Sequence, residues 1–271
     1  NVVNFSDTIN SLTYEQASGF HTTVIPGGVT LTVHAAGPTG LNVGQGLASA
    51  LVLATNIITG GGTLSLDNSG ALNVDQGANQ DDDHNVVLDM SGLSTFIING
   101  PSQGFIAVGG GGYGGTDRTR AAGSLYLART NLIYMKYNFR IGDNTTANSR
   151  NLCAVYLGQT NSITVGTGAD VSTGFNGNTN LLAFAPGLIH PAAYFRSTLN
   201  PPRVKTWIIA NAGNLPSVGT NDFTGGVIDV MADDVRIGRA TSGANPALGV
   251  LTFDGGTFDA NTIEDGWQTV S

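Results

Sequence analysis

The amino-acid sequence predicts an all-β protein, and within that class a parallel β-solenoid (β-helix) with short strands and turns rich in Gly, Asn and Thr. Three observations predict it. Glycine occupies 39 of 271 positions while charged residues make up only 11%. Short apolar-alternating segments recur from end to end. Similar strand motifs also return after about 30 residues, which is typical of repeat folds.

The composition excludes other classes. Glu and Lys, which favour helices, are rare, whereas Asp and Gly, which favour turns, are abundant. A mostly helical protein is therefore excluded. Hydrophobic residues make up 41% of the chain and alternate with polar ones, so disorder is not expected.

Two repeats carry the strand prediction. In the first, residues 30–33 and 41–46 return as 63–66 and 72–77; in the second, residues 125–131 return as 155–161. All share one unit, an apolar residue, any residue, an apolar residue and a small one. The unit reappears at 106–109, 139–142, 163–166 and 235–238.

The unit has a simple physical meaning. Alternate side chains of a strand point to opposite faces, so the two apolar residues face inward together. The small residue then allows a sharp turn, since glycine tolerates positive φ. One such strand cannot bury its apolar face alone, but many strands stacked along one axis can, which is how a solenoid is stabilised.

No linker divides the chain, so we predict one domain over residues 1–271. Two stretches interrupt the rhythm and are predicted as inserted loops: the glycine-rich segment 109–120, and the segment 181–207 with its prolines. Proline cannot donate to a strand ladder, so the second segment is expected to protrude or to widen a coil. Loops between strands are where binding surfaces are expected.

Seven segments have a shared character: residues 8–14, 30–33, 88–93, 126–131, 156–161, 235–239 and 249–263. They resemble secreted bacterial proteins of the PEP-CTERM and autotransporter-associated β-strand repeat kind. The resemblance implies a large exported surface or matrix protein with a β-helical body and no known catalytic residues. The chain starts without Met and has no sorting signal or anchor, so we expect a processed product or a segment of a longer precursor.

Charge and composition restrict the partners. A net charge of −8 leaves no basic stripe for nucleic acid. No apolar run approaches the roughly 20 residues of a membrane-spanning helix. The single Cys153 cannot form an internal disulfide and is expected to be a buried, inert thiol.

Two motifs resemble known sites but lack their context. Residues 100–104, with Ser102, match the G-x-S-x-G nucleophile elbow, yet the following residues predict a strand where that elbow needs a helix. A turn between strands is the preferred interpretation. Residues 111–117 approach the calcium β-roll nonapeptide, but they have an extra residue and no tandem copies.

Asp81, Asp82 and Asp83 form the most charged stretch of the chain. Their oxygens suit calcium, although three consecutive side chains cannot all face one point on a strand. A solvated turn and a structural calcium site are both kept as interpretations. We assign no catalytic, cofactor-binding or metal-binding residue, and no cofactor beyond that possible calcium.

Paired carboxylates could instead indicate a polysaccharide lyase or hydrolase. The candidates are Asp229, Asp233, Asp234, Asp254 and Asp259. Asp233 and Asp234 should point to opposite faces, and Asp254 and Asp259 flank a Gly-Gly turn. No constellation meets the geometric requirements of catalysis, so we predict that the protein is not an enzyme.

Aromatic residues leave two interpretations open. These residues would either form a surface that binds sugars or a partner, or stack inside the solenoid. They are Tyr134, Tyr137, Phe139, Tyr194, Phe195 and Trp207. The histidines, at 21, 34, 84 and 190, lack the spacing of metal ligands.

The first hypothesis is an extracellular structural protein that assembles end to end into, or decorates, a cell-surface filament, sheath or matrix, because uncapped strand edges are templates for another chain. The alternative is an adhesin that binds surface glycan through segments 109–120 or 181–207. A β-helical lyase or hydrolase is the third hypothesis.

Overall fold

The structure, a computed structural model, describes residues 1–37, 40–44, 51–74, 83–109, 122–143, 152–175, 179–213, 215–241 and 245–268. Every regular element in these ranges is a β-strand. No helix long and apolar enough to cross a membrane occurs among the residues described. The prediction of an all-β parallel solenoid is confirmed, because all neighbouring strands pair in parallel with a partner from the previous or next coil.

The coil has three faces. The first face contains β1 (Asp7–Ile9), β4 (Thr30–Ala35), β7 (Thr63–Asn68), β10 (Thr95–Gly100), β13 (Thr130–Met135), β16 (Thr160–Val165) and β19 (Ala192–Ser197). The second contains β2 (Leu12–Tyr14), β5 (Leu41–Val43), β8 (Ala71–Val74), β11 (Phe105–Val108), β14 (Phe139–Asp143), β17 (Asp170–Phe175) and β20 (Val204–Ala212). The third contains β3 (Ser18–Val24), β6 (Leu51–Thr59), β9 (Asp83–Asp89), β12 (Gly123–Tyr126), β15 (Leu152–Leu157), β18 (Thr179–Phe184), β21 (Ser217–Phe223) and β23 (Ala247–Phe253).

Two longer strands join the first and second faces. β22 (Val227–Ala240) pairs with β19 through its first residues and with β20 through its later ones. β24 (Gly256–Asp265) then pairs with β22 along most of its length. The last described coil therefore presents one long strand where earlier coils have two.

The sequence repeats are coil-to-coil neighbours. Leu41, Asn42 and Val43 lie opposite Leu72, Asn73 and Val74. Residues 125–126 lie opposite 155–156, and 130–131 opposite 160–161. The repeats predicted from the sequence are thus in register, with the motif offset equal to one turn of the coil.

At seven positions along the second face, a small residue within or just after the strand turns the chain with a positive φ. These positions are Gly44, Gly109, Gly142, Gly174, Ala210, Gly238 and Gly266, with φ between 60° and 86°. An L side chain is strained in this left-handed region, which explains why all but one are glycine. The predicted role of the small residue is confirmed at these positions, whereas Gly158 and Gly166, which end units on other faces, have no positive φ and instead allow close approach to the backbone of Ala128 and Lys136.

The core fills the interior of the coil. One cluster of buried apolar side chains extends from Tyr14 to Val235. Its largest fully buried members include Trp207, Phe96, Phe139, Phe195 and Phe223. Each coil contributes inward residues to it, so a coil is stabilised mainly by its neighbours.

The prediction of an inserted loop over residues 181–207 is wrong. This segment contributes the end of β18, all of β19 and the start of β20, each paired in register. Its prolines lie between the strands. The Pro191 oxygen accepts from the Val227 N–H of the next coil, and the Pro202 oxygen accepts from the Ser197 N–H within the same corner. Proline lacks a donor but keeps its carbonyl, so it ends strands without disturbing the coil. The other predicted loop, 109–120, lies outside the described residues except for Gly109.

Candidate functional site

Ser102 lies in a turn, as the sequence predicts. β10 ends at Gly100 and β11 begins at Phe105, so a strand follows the turn directly, with no helix between the two strands. The Ser102 hydroxyl donates to the backbone oxygen of Asn68 at 2.7 Å. The serine therefore joins one coil to the next and lacks the strand–turn–helix setting of a nucleophile elbow.

The candidate carboxylates all have partners of their own, mostly in the neighbouring coil. Asp229 accepts from Arg196 at 2.6 Å and Asp259 accepts from Arg203 at 2.6 Å. Asp234 pairs with Arg236 on its own strand. Asp233 accepts from the Asn261 amide at 2.8 Å, and Asp254 accepts from the Gly225 N–H. These acids hold the surface of the solenoid together and are not brought together as an acid–base pair.

The calcium hypotheses fall largely outside the described residues. Asp81, Asp82 and segment 111–117 are not described, and only the backbone of Asp83 is, at the start of β9. Within the described ranges, no group of three or more His, Cys, Asp or Glu side chains is placed to hold a metal ion. His34 pairs with Asp67 of the next coil at 2.8 Å, and His84 is buried.

The aromatic residues divide between core and surface. Phe139, Phe195 and Trp207 are fully buried, with Phe195 and Trp207 in edge-to-face contact at 4.9 Å between centroids. Tyr134 and Tyr194 lie on the outer surface of the first face, 37% and 42% exposed. Cys153 is buried, as expected, and forms no disulfide.

One half-buried acid, Asp170, stands apart. Burial raises the pKa of Asp170 above its usual value; a hydrogen bond from Thr206 and the charges of Arg140, Arg236 and Lys205 oppose this only in part. Asp170 begins β17, on the second face. Burial and these neighbouring groups account for the direction of the shift.

The two ends of the described coil have open strand edges. At one end, Leu12 donates to the Gly40 oxygen and Tyr14 accepts from the Gly44 N–H, so the peptide groups of both point toward β5. Peptide groups alternate in direction along a parallel strand, so those of Thr13 point outward. At the other end, Gly266 donates to the Ile237 oxygen, which leaves the peptide groups of residues 263 and 265 on the outer edge.

Large apolar side chains accompany these edges. Phe20, Leu248 and Ile263 are 80%, 59% and 62% exposed. Phe258 and Ile9 are partly buried and pack against the end of the core. Exposed edges with apolar side chains are templates for pairing with another strand.

A groove of about 500 Å³ lies at the corner where the first face turns toward the second. We call it the corner groove; its walls include Pro101, Tyr134, Lys136, Tyr137, Thr167 and Thr198. A second groove, of about 570 Å³, lies at the opposite ends of the same strands. There the Gln159 amide already donates to the Ile189 and His190 oxygens.

The sequence reasoning missed Lys136 and the outer edge of β24. The alternation of Leu132, Tyr134 and Lys136 along β13 is the signal that could have identified the first, since alternate residues share a face. Comparison of the chain with protein-family models, with curated proteins and with solved structures found no match.

Proposed function

We propose that the protein is a non-enzymatic, extracellular structural protein whose solenoid assembles end to end, with a second copy of the same chain seated on each open edge. The observation that supports this proposal is that the outer edge of β24 and the outer edges of β1 and β2 have no neighbouring strand among the residues described. The resemblance of the repeats to secreted surface proteins supports an extracellular setting.

The coil registers determine how a second copy would sit. On the first face, Ile9, Val33, Leu66, Ile98, Ile133, Ile163, Phe195, Val230 and Phe258 occupy one inward position in successive strands. The corresponding series on the second face begins at Leu12 and ends at Ile263. Continuing both series places Ile9 of the next copy beside Phe258, and its Leu12 beside Ile263.

The hydrogen-bonding groups agree with that register. Continuing the second-face series places Thr13 of the next copy opposite Glu264. In a parallel pair, the outward peptide group of Thr13 would then bond to residues 263 and 265, whose peptide groups also point outward. The number of residues between the first-face and second-face positions need not be the same in the two copies. This number already differs between neighbouring coils, since one coil runs from Phe195 to Trp207 and the next from Val230 to Val235.

Such a contact builds a filament. The surfaces at the two ends differ, so each copy binds the next head to tail, and a heterologous contact that does not close extends indefinitely. Nine described strands stack along the first face, from β1 to β24. At about 4.8 Å per strand, the axial repeat is expected to be about 43 Å.

The test is electron microscopy and sedimentation velocity of the purified protein at low and high salt. We expect filaments with that repeat, favoured by salt because screening reduces the repulsion between subunits of net charge −8. Thr13→Pro removes an outward N–H and should abolish filaments, whereas Thr13→Ala, which keeps the N–H, should retain them. Monomers under every condition, or filaments of Thr13→Pro, would contradict the proposal.

A further inference from the structure

The corner groove contains the chemical groups of a carbohydrate site on the side of the solenoid, away from its ends. It follows the ends of β10, β13, β16 and β19. Its volume, about 500 Å³, lies in the range of small-ligand sites.

Two tyrosines supply flat apolar surfaces. Tyr134 points outward from β13 and is 37% exposed. Tyr137 packs against the small buried cluster of Ala71, Phe105 and Ala107, which holds its ring in place. Rings fixed in this way offer an apolar face and a polar hydroxyl together, a combination that suits the mixed surface of a sugar.

Lys136 lies between these tyrosines and supplies a positive charge. Its ammonium lies 5.2 Å from the centroid of the Tyr137 ring. Within the part of the chain that the structure describes, no carboxylate pairs with Lys136, whereas Arg196 and Arg203 are each paired with an aspartate. An unpaired cation on an acidic protein favours a ligand that carries a carboxylate.

The opposite wall is rich in hydroxyl groups. Thr167 and Thr198, from successive coils, have their Oγ1 atoms 3.1 Å apart, and both side chains are exposed. Asn138 is fixed by the bond that its Oδ1 accepts from the Asp170 N–H at 2.8 Å. Hydroxyls on a firm backbone can donate to, and accept from, the hydroxyls of a sugar.

We propose that the corner groove binds an acidic oligosaccharide, with a uronate carboxylate on Lys136 and sugar rings against Tyr134 and Tyr137. Nucleic acid is a poor fit, because binding its backbone requires several cations and the groove has one. This site lies mainly outside the two segments that the sequence indicated for glycan binding, since only Thr198 of its named walls belongs to segment 181–207. It also does not depend on end-to-end assembly.

The test is isothermal titration with an oligogalacturonate and with its fully methyl-esterified, uncharged form. We expect saturable binding of the acid form only. Lys136→Gln should weaken it by at least about tenfold, as expected for loss of a charge-assisted hydrogen bond. Lys205→Gln, which changes the other lysine of the chain, should leave it unchanged.

Tyr134→Ala should also weaken binding several-fold, whereas Tyr194→Ala, on the same face but outside the groove, should not. Absence of saturable binding, equal binding of the esterified form, or equal losses from Lys136→Gln and Lys205→Gln would each overturn the proposal. Because assembly is followed separately by sedimentation, failure here leaves the proposed filament intact.

Discussion

Ala210 occupies the same position in its coil as Gly238 does in the next, with φ of 60° and 64°. It is the one alanine among the seven second-face positions with a positive φ, and the other six are glycine. The backbone of the coil therefore requires the left-handed turn, and the side chain adapts to it.

The first prediction compares the two residue types at this turn. Gly142→Ala should lower the free energy of unfolding by about 3 kcal/mol, because a left-handed alanine is strained and its Cβ would lie within 1.6 Å of the Asn180 Oδ1 atom. Ala210→Gly should stay within about 1 kcal/mol of wild type, since relief of strain offsets the lost methyl packing. Chemical denaturation measures both; equal effects would contradict the explanation.

The turn also illustrates what the sequence reveals. Residues 207–210, Trp-Ile-Ile-Ala, fit the unit of apolar, any, apolar and small residue, so even this coil is visible in the sequence. The repeats predicted the fold and the register, because each coil meets the same local requirements. Prolines at 186, 191, 201 and 202 misled the prediction, because proline is compatible with a corner that the sequence alone does not locate.

The sites were harder to predict for a physical reason. The corner groove joins Lys136, Thr167 and Thr198, which meet only once the coil register is known. Which residues of β2 and β24 can pair with another strand depends on the direction in which each peptide group points. The alternation of side chains in the sequence does not give that direction, because it does not show where the hydrogen-bond ladder begins.

The second prediction concerns the buried asparagine pair. Asn161 accepts from the Gly158 N–H and from the Asn131 amide, and it donates to the oxygens of Gly158 and Ala192. Asn161→Ala leaves these groups unsatisfied and should cost about 3 kcal/mol. Asn131→Ala should cost less, because the Asn131 Oδ1 has no partner to lose. Thermal denaturation that ranks the two variants in the reverse order would contradict this explanation.

The third prediction is a pH dependence. Burial raises the pKa of Asp170, so the folded state holds this proton more tightly than the unfolded state does. Its contribution to stability is therefore unfavourable at neutral pH, and is relieved as the pH falls through the raised pKa toward the usual aspartate pKa of 3.8. Asp170→Asn should melt higher than wild type at pH 7, and the difference should shrink in acid. A constant difference across pH would exclude Asp170 as its source.

The fourth prediction concerns protection of the open edge. The Asp7 carboxylate accepts a hydrogen bond from the Thr8 N–H at 2.8 Å, at the edge of the first strand. A charge held there discourages pairing with another chain. Asp7→Ala should therefore lower the protein concentration needed for filaments, whereas Asp67→Ala, which removes an equal charge from the side of the solenoid, should have a smaller effect. Sedimentation across a concentration series measures this; equal effects would point to net charge alone.

The last prediction separates the two ends. Thr13→Pro blocks the edge of β2, and Asp265→Pro removes the outward N–H of β24 that is expected to donate to Thr13. Each variant alone should remain monomeric, because filament growth needs both ends. A mixture should form dimers and stop, because the intact β24 edge of Thr13→Pro can still bind the intact β2 edge of Asp265→Pro. Thr13→Ala and Asp265→Ala are the controls and should form filaments. Dimers of either proline variant alone would indicate a symmetric contact, and filaments in the mixture would place the interface elsewhere. Sedimentation velocity of each proline variant and of their mixture therefore decides between head-to-tail assembly and its alternatives.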